Sequence, residues 1–152
     1  MKLRWIGWWA VALSLSACTP NVVYNKYQPA PLTGWERNDT LFFDVPKLAQ
    51  GGAYDMEMGV RINGEYPFIA LTLIVEQTVL PKGTIMRDTV NCRFFDQQGR
   101  QLSGGISYFQ YTFPIRTINL RTGDSLHITI RHGMKKELLP GISDVGINMR
   151  RF

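Results

Sequence analysis

Strict alternation of apolar and polar side chains is the feature that most constrains this fold. Between Tyr54 and Ile62 the chain reads YDMEMGVRI, so that Met56, Met58, Val60 and Ile62 stand at every second position. Successive side chains of a strand point to opposite sides, whereas a helix would spread these residues around its circumference. The pattern therefore predicts a strand with one face in a core and the other in water.

Six further runs of apolar, β-branched and aromatic residues follow the same logic, with turn residues about every ten positions. The runs are Asp39–Val45, Phe68–Gln77, Thr89–Asp96, Ser107–Ile115, Ser125–His132 and Asp144–Phe152. The residues predicted to face inward are Ile69, Leu71, Leu73, Val75, Val90, Cys92, Phe94, Leu126, Ile128, Ile130, Val145, Ile147 and Met149. Such a series of short strands predicts an all-β fold, an antiparallel β-sandwich or jelly-roll-like arrangement in a single domain.

Two local signals refine this arrangement. Asn63-Gly64, between two strand-like runs, is a strong signal for a β-hairpin. The stretch Met134–Leu139 favours one turn of helix at most, because Pro140 and Gly141 follow it.

The first eighteen residues have the layout of a secretory signal. Lys2 and Arg4 precede an apolar stretch, Trp5–Leu15, which is shorter than the roughly 20 residues that a membrane-spanning helix needs. Small residues then lead to Cys18 in the run LSAC, which resembles a bacterial lipobox. We predict a signal peptide over residues 1–17 and a lipid on Cys18, since a thiolate is a suitable nucleophile. The alternative is an ordinary signal peptide that ends near a cysteine.

The mature chain is predicted to consist of a tether and a domain. Residues 18–35 contain three prolines and one glycine without a sustained period, which predicts an extended tether. Val22 to Tyr24 could pair there as a short edge strand. Residues 36–152 form the predicted β-sandwich domain. If Cys18 carries lipid, Cys92 has no disulfide partner and is expected to be a small buried apolar residue.

Charge and motif content argue against several classes of function. The formal net charge is +5 over the whole chain, and the signal contributes two of the cations. Basic residues form no run interleaved with aromatic residues, so we expect no nucleic-acid partner. His127 and His132 have no set of cysteines or carboxylates nearby in the sequence, so no metal or other cofactor is expected. The sequence also lacks a G-x-S-x-G stretch and a phosphate-binding loop.

One catalytic alternative rests on two carboxylates. Asp55 and Glu57 stand two residues apart on the outward face of a predicted strand, about 7 Å from each other. Glycoside hydrolases use pairs of carboxyl groups separated by about 5 to 10 Å. Because this pair shares a flat strand face with Arg61, a solvated surface is the favoured interpretation, and no enzyme is predicted.

Aromatic residues offer a second alternative. Along SYFQYTF, Tyr108 falls on one face of the predicted strand and Tyr111 on the other. An aromatic ring on the surface of a β-sandwich can bind a sugar or a protein partner. Tyr108 and Tyr111 are therefore candidate binding residues, and a carbohydrate-binding module of the cell envelope stays open beside a protein-binding role.

Several pieces of the chain occur in an order that carries a family resemblance. They are the lipobox cysteine, VVYNKY followed by WERNDTL, then YDMEMGVRINGEYPFIALTL, DTV, DQQGR and MKKELLPGISDVGI. From about Val23 to Met149 the chain resembles the gliding-motility lipoprotein H family, GldH, of the Bacteroidetes. The resemblance implies a lipid-anchored, non-catalytic protein of the cell envelope in a gliding- or secretion-associated assembly.

The resemblance implies one functional residue, Cys18, and a membrane as the partner of its lipid. The residues after Cys18 lack an acidic cluster, which favours the periplasmic side of the envelope. For contact with an envelope protein we predict the turn region of Arg61, Asn63, Glu65 and Tyr66, because exposed loops carry much of protein function.

Overall fold

The computed structural model describes residues 21–105 and 108–152 as ten β-strands joined by turns. The strands are β1 (Val22–Pro29), β2 (Trp35–Glu36), β3 (Leu41–Val45), β4 (Gly52–Asn63), β5 (Ala70–Leu80), β6 (Thr84–Arg93), β7 (Tyr108–Leu120), β8 (Ser125–His132), β9 (Leu138–Leu139) and β10 (Ile142–Arg151). Within the described ranges, no helix is long and apolar enough to cross a bilayer. The predicted signal peptide, residues 1–17, and the predicted lipidation site, Cys18, lie outside the described residues.

Two four-stranded antiparallel sheets face each other and enclose the core. The first sheet has the order β1-β10-β4-β7, the second has the order β3-β8-β5-β6, and a short ladder joins β2 to β9. Each central strand buries alternate side chains, as in β4, where Met56, Met58 and Val60 are withdrawn from solvent. Burial contributes roughly 25 cal/mol per Å² of apolar surface, so each sheet is stabilised by covering the other. The predicted antiparallel β-sandwich is confirmed.

The alternation also selected most of the core correctly. Buried as predicted are Leu71, Leu73, Val75, Val90, Cys92, Phe94, Leu126, Ile128, Ile130, Val145, Ile147 and Met149. Cys92 is a free thiol in the core, and burial raises its pKa to about 12. The thiol is therefore protonated and shielded from reagents at neutral pH.

The connections that cross between the sheets define two ends of the sandwich. At the near end, where β1 begins, the N–H of Leu48 donates to the carbonyl of Asp124 at 2.8 Å, which joins the β3–β4 connection to the β7–β8 connection. The near end consists of residues 21–23, 46–53, 80–84, 120–125 and 151–152. The far end consists of residues 30–40, 64–69, 94–105 and 133–141.

Strand β1 corrects the predicted tether over residues 18–35. Val22–Pro29 pairs with β10 in the first sheet, and Trp35 is fully buried, its indole N–H donating to the carbonyl of Asp39 at 2.8 Å. The prediction was wrong because an edge strand needs only one neighbour and tolerates proline, so its sequence shows little alternation. The folded domain therefore includes residues from Val22 onward.

The predicted hairpin at Asn63-Gly64 is not formed. β4 ends at Asn63 in the first sheet and β5 begins at Ala70 in the second, so residues 64–69 cross between the sheets. Ile69 lies in this crossing and is 62% exposed, although the alternation predicted it inward. A local turn signal bends the chain but does not specify which sheet the next strand joins.

A buried histidine holds the ladder of β2 and β9 against the second sheet. Nε2 of His132 lies 3.1 Å from the carbonyl oxygen of Trp35 and 3.2 Å from that of Glu137, so Nε2 must carry the hydrogen. Nδ1 accepts a hydrogen bond from the N–H of Met134 at 3.3 Å. Burial lowers the pKa of His132, and the hydrogen bonds from Nε2 to the carbonyls of Glu137 and Trp35 offset this shift only in part.

The turn of helix considered over Met134–Leu139 is replaced by a bend and by β9. Three carbonyl groups of this segment, those of Met134, Lys135 and Glu137, accept from side chains rather than from a helical turn. The carbonyl of Met134 accepts from Nε of Arg37 at 3.1 Å, and that of Glu137 accepts from His132. The local sequence could not show these partners, which lie on β8 and in the turn after β2.

We expect the free energy of unfolding to fall in mild acid through the titration of His132. A pKa that is lower in the folded protein means that the unfolded chain binds the proton more readily. The stability is therefore present above the ordinary pKa of 6.5 and is lost as the pH falls through the folded pKa. The slope should reach at most about 1.4 kcal/mol per pH unit, measured by urea unfolding at a series of pH values.

Two glutamine variants provide the controls for this measurement. His132→Gln, which retains an N–H donor, should be about 1–3 kcal/mol less stable at neutral pH and should lack the slope. His127→Gln, at a position on the sandwich surface, should keep the contribution of His132. A slope that persists unchanged in His132→Gln would contradict the assignment.

Candidate functional site

The turn predicted to contact a partner is only partly exposed. Arg61 and Asn63 lie on the outer face of β4, and Glu65 is exposed beyond them, its N–H donating to Oδ1 of Asn63 at 2.9 Å. Tyr66 is only 8% exposed, and its hydroxyl donates to the carbonyl of Ala70 at 2.7 Å. Burial raises the pKa of Tyr66. Tyr66 is thus a core residue, and its assignment to an exposed turn was wrong.

The two candidate tyrosines of β7 differ in the same way. Tyr108 is 60% exposed on the outer face of the first sheet. Tyr111 is only 6% exposed; its ring packs 4.7 Å from that of Phe94, and its hydroxyl donates to the carbonyl of the same residue. The alternation separated the two residues but did not show which face was inner. Tyr108 is available for contact, whereas Tyr111 belongs to the core.

The outer face of the first sheet has a depression that the sequence analysis missed. Gly59 of β4 and Gly146 of β10 stand opposite each other, so two adjacent strands lack outward side chains at this point. The ring of Tyr27 fills the space, and a Cβ atom on Gly146 would come within 2.7 Å of it. The guanidinium of Arg61 covers the ring at 4.0 Å from its centroid. Glycines at outward positions of two strand patterns were the available signal.

A shallow pocket of ≈ 240 Å³ lies beside Tyr27. Gln110 borders it and donates from Nε2 to the hydroxyl of Tyr27 at 3.1 Å. Oδ1 of Asn148 is buried here and has no hydrogen-bond partner among the described residues. Because Arg61 covers Tyr27, the pocket offers hydrogen-bonding groups rather than an open aromatic face.

The carboxylates of the hydrolase alternative are engaged by neighbouring strands. Asp55 accepts from the hydroxyl of Thr117 at 2.8 Å, and Glu57 accepts from the guanidinium of Arg150 at 2.6 Å. Glu57 borders the shallow pocket, but Asp55 does not. Since the two carboxylates do not face each other across a cleft, their geometry gives the hydrolase alternative no support.

A larger cleft of ≈ 760 Å³ opens along the edge where β6 approaches β7. Arg116 forms part of its wall and donates two hydrogen bonds of 2.7 Å to Asp88. Gln77, fully buried on β5, donates to the same carboxylate at 3.0 Å. The bonds from Arg116, followed by that from Gln77, hold the pKa of Asp88 below its ordinary value. The rest of the lining mixes apolar and cationic side chains, among them Val79, Met86, Leu120, Lys82 and Arg121.

The two histidines lie apart and take different roles. His127, on the outer face of β8, contacts Asp44 through Nδ1 at 2.6 Å and stacks on Phe42. His132 is the buried residue described above. The described ranges contain no group of three or more histidines, cysteines and carboxylates that could hold a metal ion.

These features define a small antiparallel β-sandwich whose described surface includes a shallow pocket and a larger cleft. The chain belongs to the GldH lipoprotein family, whose family model matches residues 22–149. The gliding motility lipoprotein GldH of Flavobacterium johnsoniae is 23% identical over 147 residues, which cover 92% of this chain and 91% of that protein. The GldH homolog of Christiangramia forsetii is 23% identical over 145 residues, with coverage of 90% and 88%.

The family resemblance read from the sequence is therefore confirmed. As a member of this family, the chain is a membrane-anchored lipoprotein of the cell envelope. The family and both relatives carry the names of lipoproteins rather than of enzymes.

Solved structures with a similar arrangement of strands include carbohydrate binding modules. One, from the Cellvibrio mixtus lichenase 5A, has a TM-score of 0.40 and 13% identity, covering 86% of this chain and 89% of that one. A family 35 carbohydrate binding module from Clostridium thermocellum has a TM-score of 0.38 and 12% identity, covering 85% and 97%. At these TM-scores the likeness carries no argument about function.

We expect Gly146→Ala to destabilise the domain by about 1–3 kcal/mol, because the new methyl group would displace the ring of Tyr27. In the background of Tyr27→Ala the same substitution should become neutral or stabilising by up to about 1 kcal/mol, since alanine restricts the unfolded chain. Chemical denaturation of the wild type, both single variants and the double variant measures the change of sign. Equal effects of Gly146→Ala in the two backgrounds would contradict the packing of Tyr27 on the glycine pair.

Proposed function

We propose that this protein acts without catalysis, contacting another envelope protein through the far end of a sandwich that is held at the membrane by a lipid on Cys18. The protein would face the periplasm as part of a gliding- or secretion-associated assembly. The observation that carries the proposal is the apolar surface of the far end. Large apolar side chains are exposed there at Leu32, Ile69, Leu102 and Leu138, and Tyr108 is exposed at the start of β7, which borders this end.

Exposed apolar side chains among partly paired charges support a role in protein contact. Contiguous apolar patches on soluble domains mark interaction sites, and the buried centres of interfaces are depleted in charge. Cations of the far end are partly neutralised locally, because Arg37 pairs with Glu137 at 3.3 Å and Arg100 with Asp96 at 3.1 Å. The surrounding polar groups resemble the rim of an interface. Asn63 and Glu65, two of the residues predicted for partner contact, border this end.

The position of the far end also suits a protein that reaches a partner from a membrane. β1 begins at Val22, close behind Cys18, so a lipid would hold the near end at the bilayer. β4 runs from one end to the other over 12 residues, a length of about 40 Å for an extended strand. The far end would be presented at roughly that height above the lipid.

Carbohydrate binding is the second candidate, and one observation favours it. Tyr108 is exposed on the same outer face as Gln110 and Thr112, which border the shallow pocket. An exposed ring beside hydrogen-bonding groups is a suitable arrangement for a sugar.

For the lipid, we expect Cys18→Ser to lose acylation completely, because the hydroxyl cannot form the thioether. Cys92→Ser is the matched control and should be acylated normally, since that thiol is buried in the core. Metabolic labelling with an alkyne fatty acid and mass spectrometry of the N-terminal peptide measure both variants. Normal acylation of Cys18→Ser would overturn the anchor.

For the partner, we expect a photo-cross-linker at Ile69 or Tyr108 to capture the same discrete envelope protein in intact cells. A cross-linker at Phe42, which is exposed on the outer face of the second sheet, is the control and should capture none. Leu102→Asp should lower the yield more than tenfold, because a disrupted central contact costs about 2 kcal/mol.

Two results would count against this reading. Equal capture from Phe42 and Ile69 would show that the far end is not selective. Recovery of glycan or peptidoglycan fragments alone, abolished by Tyr108→Ala, would transfer the proposal to carbohydrate binding.

A further inference from the structure

The near end of the sandwich carries an excess of positive side chains. Its segments contain four cations, Lys47, Lys82, Arg121 and Arg151, and one acidic residue, Asp124. None of the four cations forms a salt bridge within the described part of the chain. The carboxylate of Asp124 accepts from the backbone N–H of Arg121 at 2.8 Å. The guanidinium of Arg151 donates to the amide oxygen of Gln50, which is neutral, so none of the four positive charges is neutralised by a carboxylate of the described chain.

Strand pairing brings these residues to the same end. In the first sheet Gly52 stands opposite Leu120, which places the cations of the adjoining loops side by side. In the second sheet Leu80 stands opposite Ser125, next to the turn that carries Lys82. The N–H of Gly51 donates to the hydroxyl of Thr122 at 2.9 Å and fixes one loop on the other.

The far end has a different charge balance. Its described segments contain four cations and five acidic residues, namely Arg37, Arg100, Lys135, Lys136, Glu36, Asp39, Glu65, Asp96 and Glu137. Both ends expose apolar side chains, so apolar exposure alone does not distinguish them. The distinction lies in the charge balance, because the near end has four cations and only one acidic residue.

The large cleft reaches this cationic surface. Lys82, Arg121 and Asp124 border it, together with the apolar side chains of Val79 and Leu120. Next to it, Leu80 and Ile85 expose apolar surface at the β5–β6 turn. The near end thus combines cations at a rim with apolar groups that could enter the upper layer of a bilayer.

We propose that the near end docks directly on an anionic phospholipid surface, in the membrane that holds the lipid on Cys18; this rests on the acylation proposed above. Three residues separate Cys18 from Val22, where β1 begins. A span of this length reaches at most about 14 Å. The anchor therefore keeps the cationic end against the headgroups, and the first sheet cannot turn its far end to the same bilayer.

Electrostatics favours this contact over free rotation on the anchor. Each lysine or arginine near an anionic surface raises binding about fivefold. The attraction acts over roughly the Debye length, about 10 Å at 0.1 M salt, which is comparable to the reach of the anchor. Docking would orient the sandwich upright, with its far end directed away from the lipid.

Bromine quenching of a short-range fluorophore tests the orientation. The full mature, acylated chain is reconstituted into vesicles of phosphatidylethanolamine and phosphatidylglycerol with brominated acyl chains. One variant, Ile85→Cys, is labelled at the near end, and a matched variant, Ile69→Cys, at the far end, since both isoleucines are 62% exposed. Cys92 is buried and its thiol has a raised pKa of about 12, so it does not compete for the label.

We expect strong quenching at position 85 and background quenching at position 69. The signal at position 85 should be lost in phosphatidylcholine vesicles, in 1 M salt, where the Debye length is about 3 Å, and in Lys82→Glu/Arg121→Glu. The control Lys135→Glu/Lys136→Glu, at the far end, should retain it. The salt and lipid comparisons use the protein without charge-reversal substitutions. They therefore test the electrostatic contact even if a charge reversal affects folding.

Several outcomes would overturn the proposal. Equal quenching at the two positions would mean that the domain has no preferred orientation. Quenching at position 85 that is equally strong without anionic lipid and in 1 M salt would exclude the electrostatic contact. Failure of the anchor would be recognised separately. A chain without acyl groups would lack the added mass of the lipid in mass spectrometry, and it would not co-float with vesicles of neutral lipid.

Discussion

The two sheets depend on each other, because each covers the apolar face of the other. Alternate side chains of β4, β5, β8 and β10 point into one shared interior, where Met58, Leu73, Ile128 and Ile147 are fully withdrawn from water. A two-sided arrangement of this kind requires connections that cross between the sheets, and these crossings lie at the two ends. Because the strands span the shared core, the irregular segments that join them are grouped at its two opposite ends. Such segments are free to carry specific contacts.

The pairing of the first strand with the last fixes the direction of the whole domain. Val22 stands opposite Arg150 at the edge of the first sheet, so the described chain enters the fold at the near end. The lipid proposed for Cys18 would therefore act on a domain whose first strand is already paired. The different charge balance of the two ends then gives that body two distinct surfaces, one with an excess of cations and one with nearly balanced charges.

The sequence specified the strands better than their partners. Alternation identified the buried face of β4 because a period of two is a local property, visible in Met58 and its neighbours. It failed at Val22–Pro29, where an edge strand has few apolar contacts, and at Asn63-Gly64, where the choice of sheet depends on distant strands. Tyr66 and Tyr111 were assigned to the surface because tyrosine suits both environments and the ladder that buries it is non-local. The depression under Tyr27 required two glycines from strands far apart in the sequence.

Charges on the outer sheet faces serve a different purpose from those at the near end. Glu57 pairs with Arg150 and Arg87 with Glu76, in both cases across neighbouring strands at 2.6 Å. An exposed pair contributes at most about 1 kcal/mol, but it favours one register, since a slip of one residue in one strand would move its charged side chain to the face opposite its partner. Groups that stabilise register in this way are already occupied by a neighbour. Recognition by charge would therefore fall to cations without a salt bridge in the described chain, and at the near end four of these, Lys47, Lys82, Arg121 and Arg151, occur with a single acidic residue.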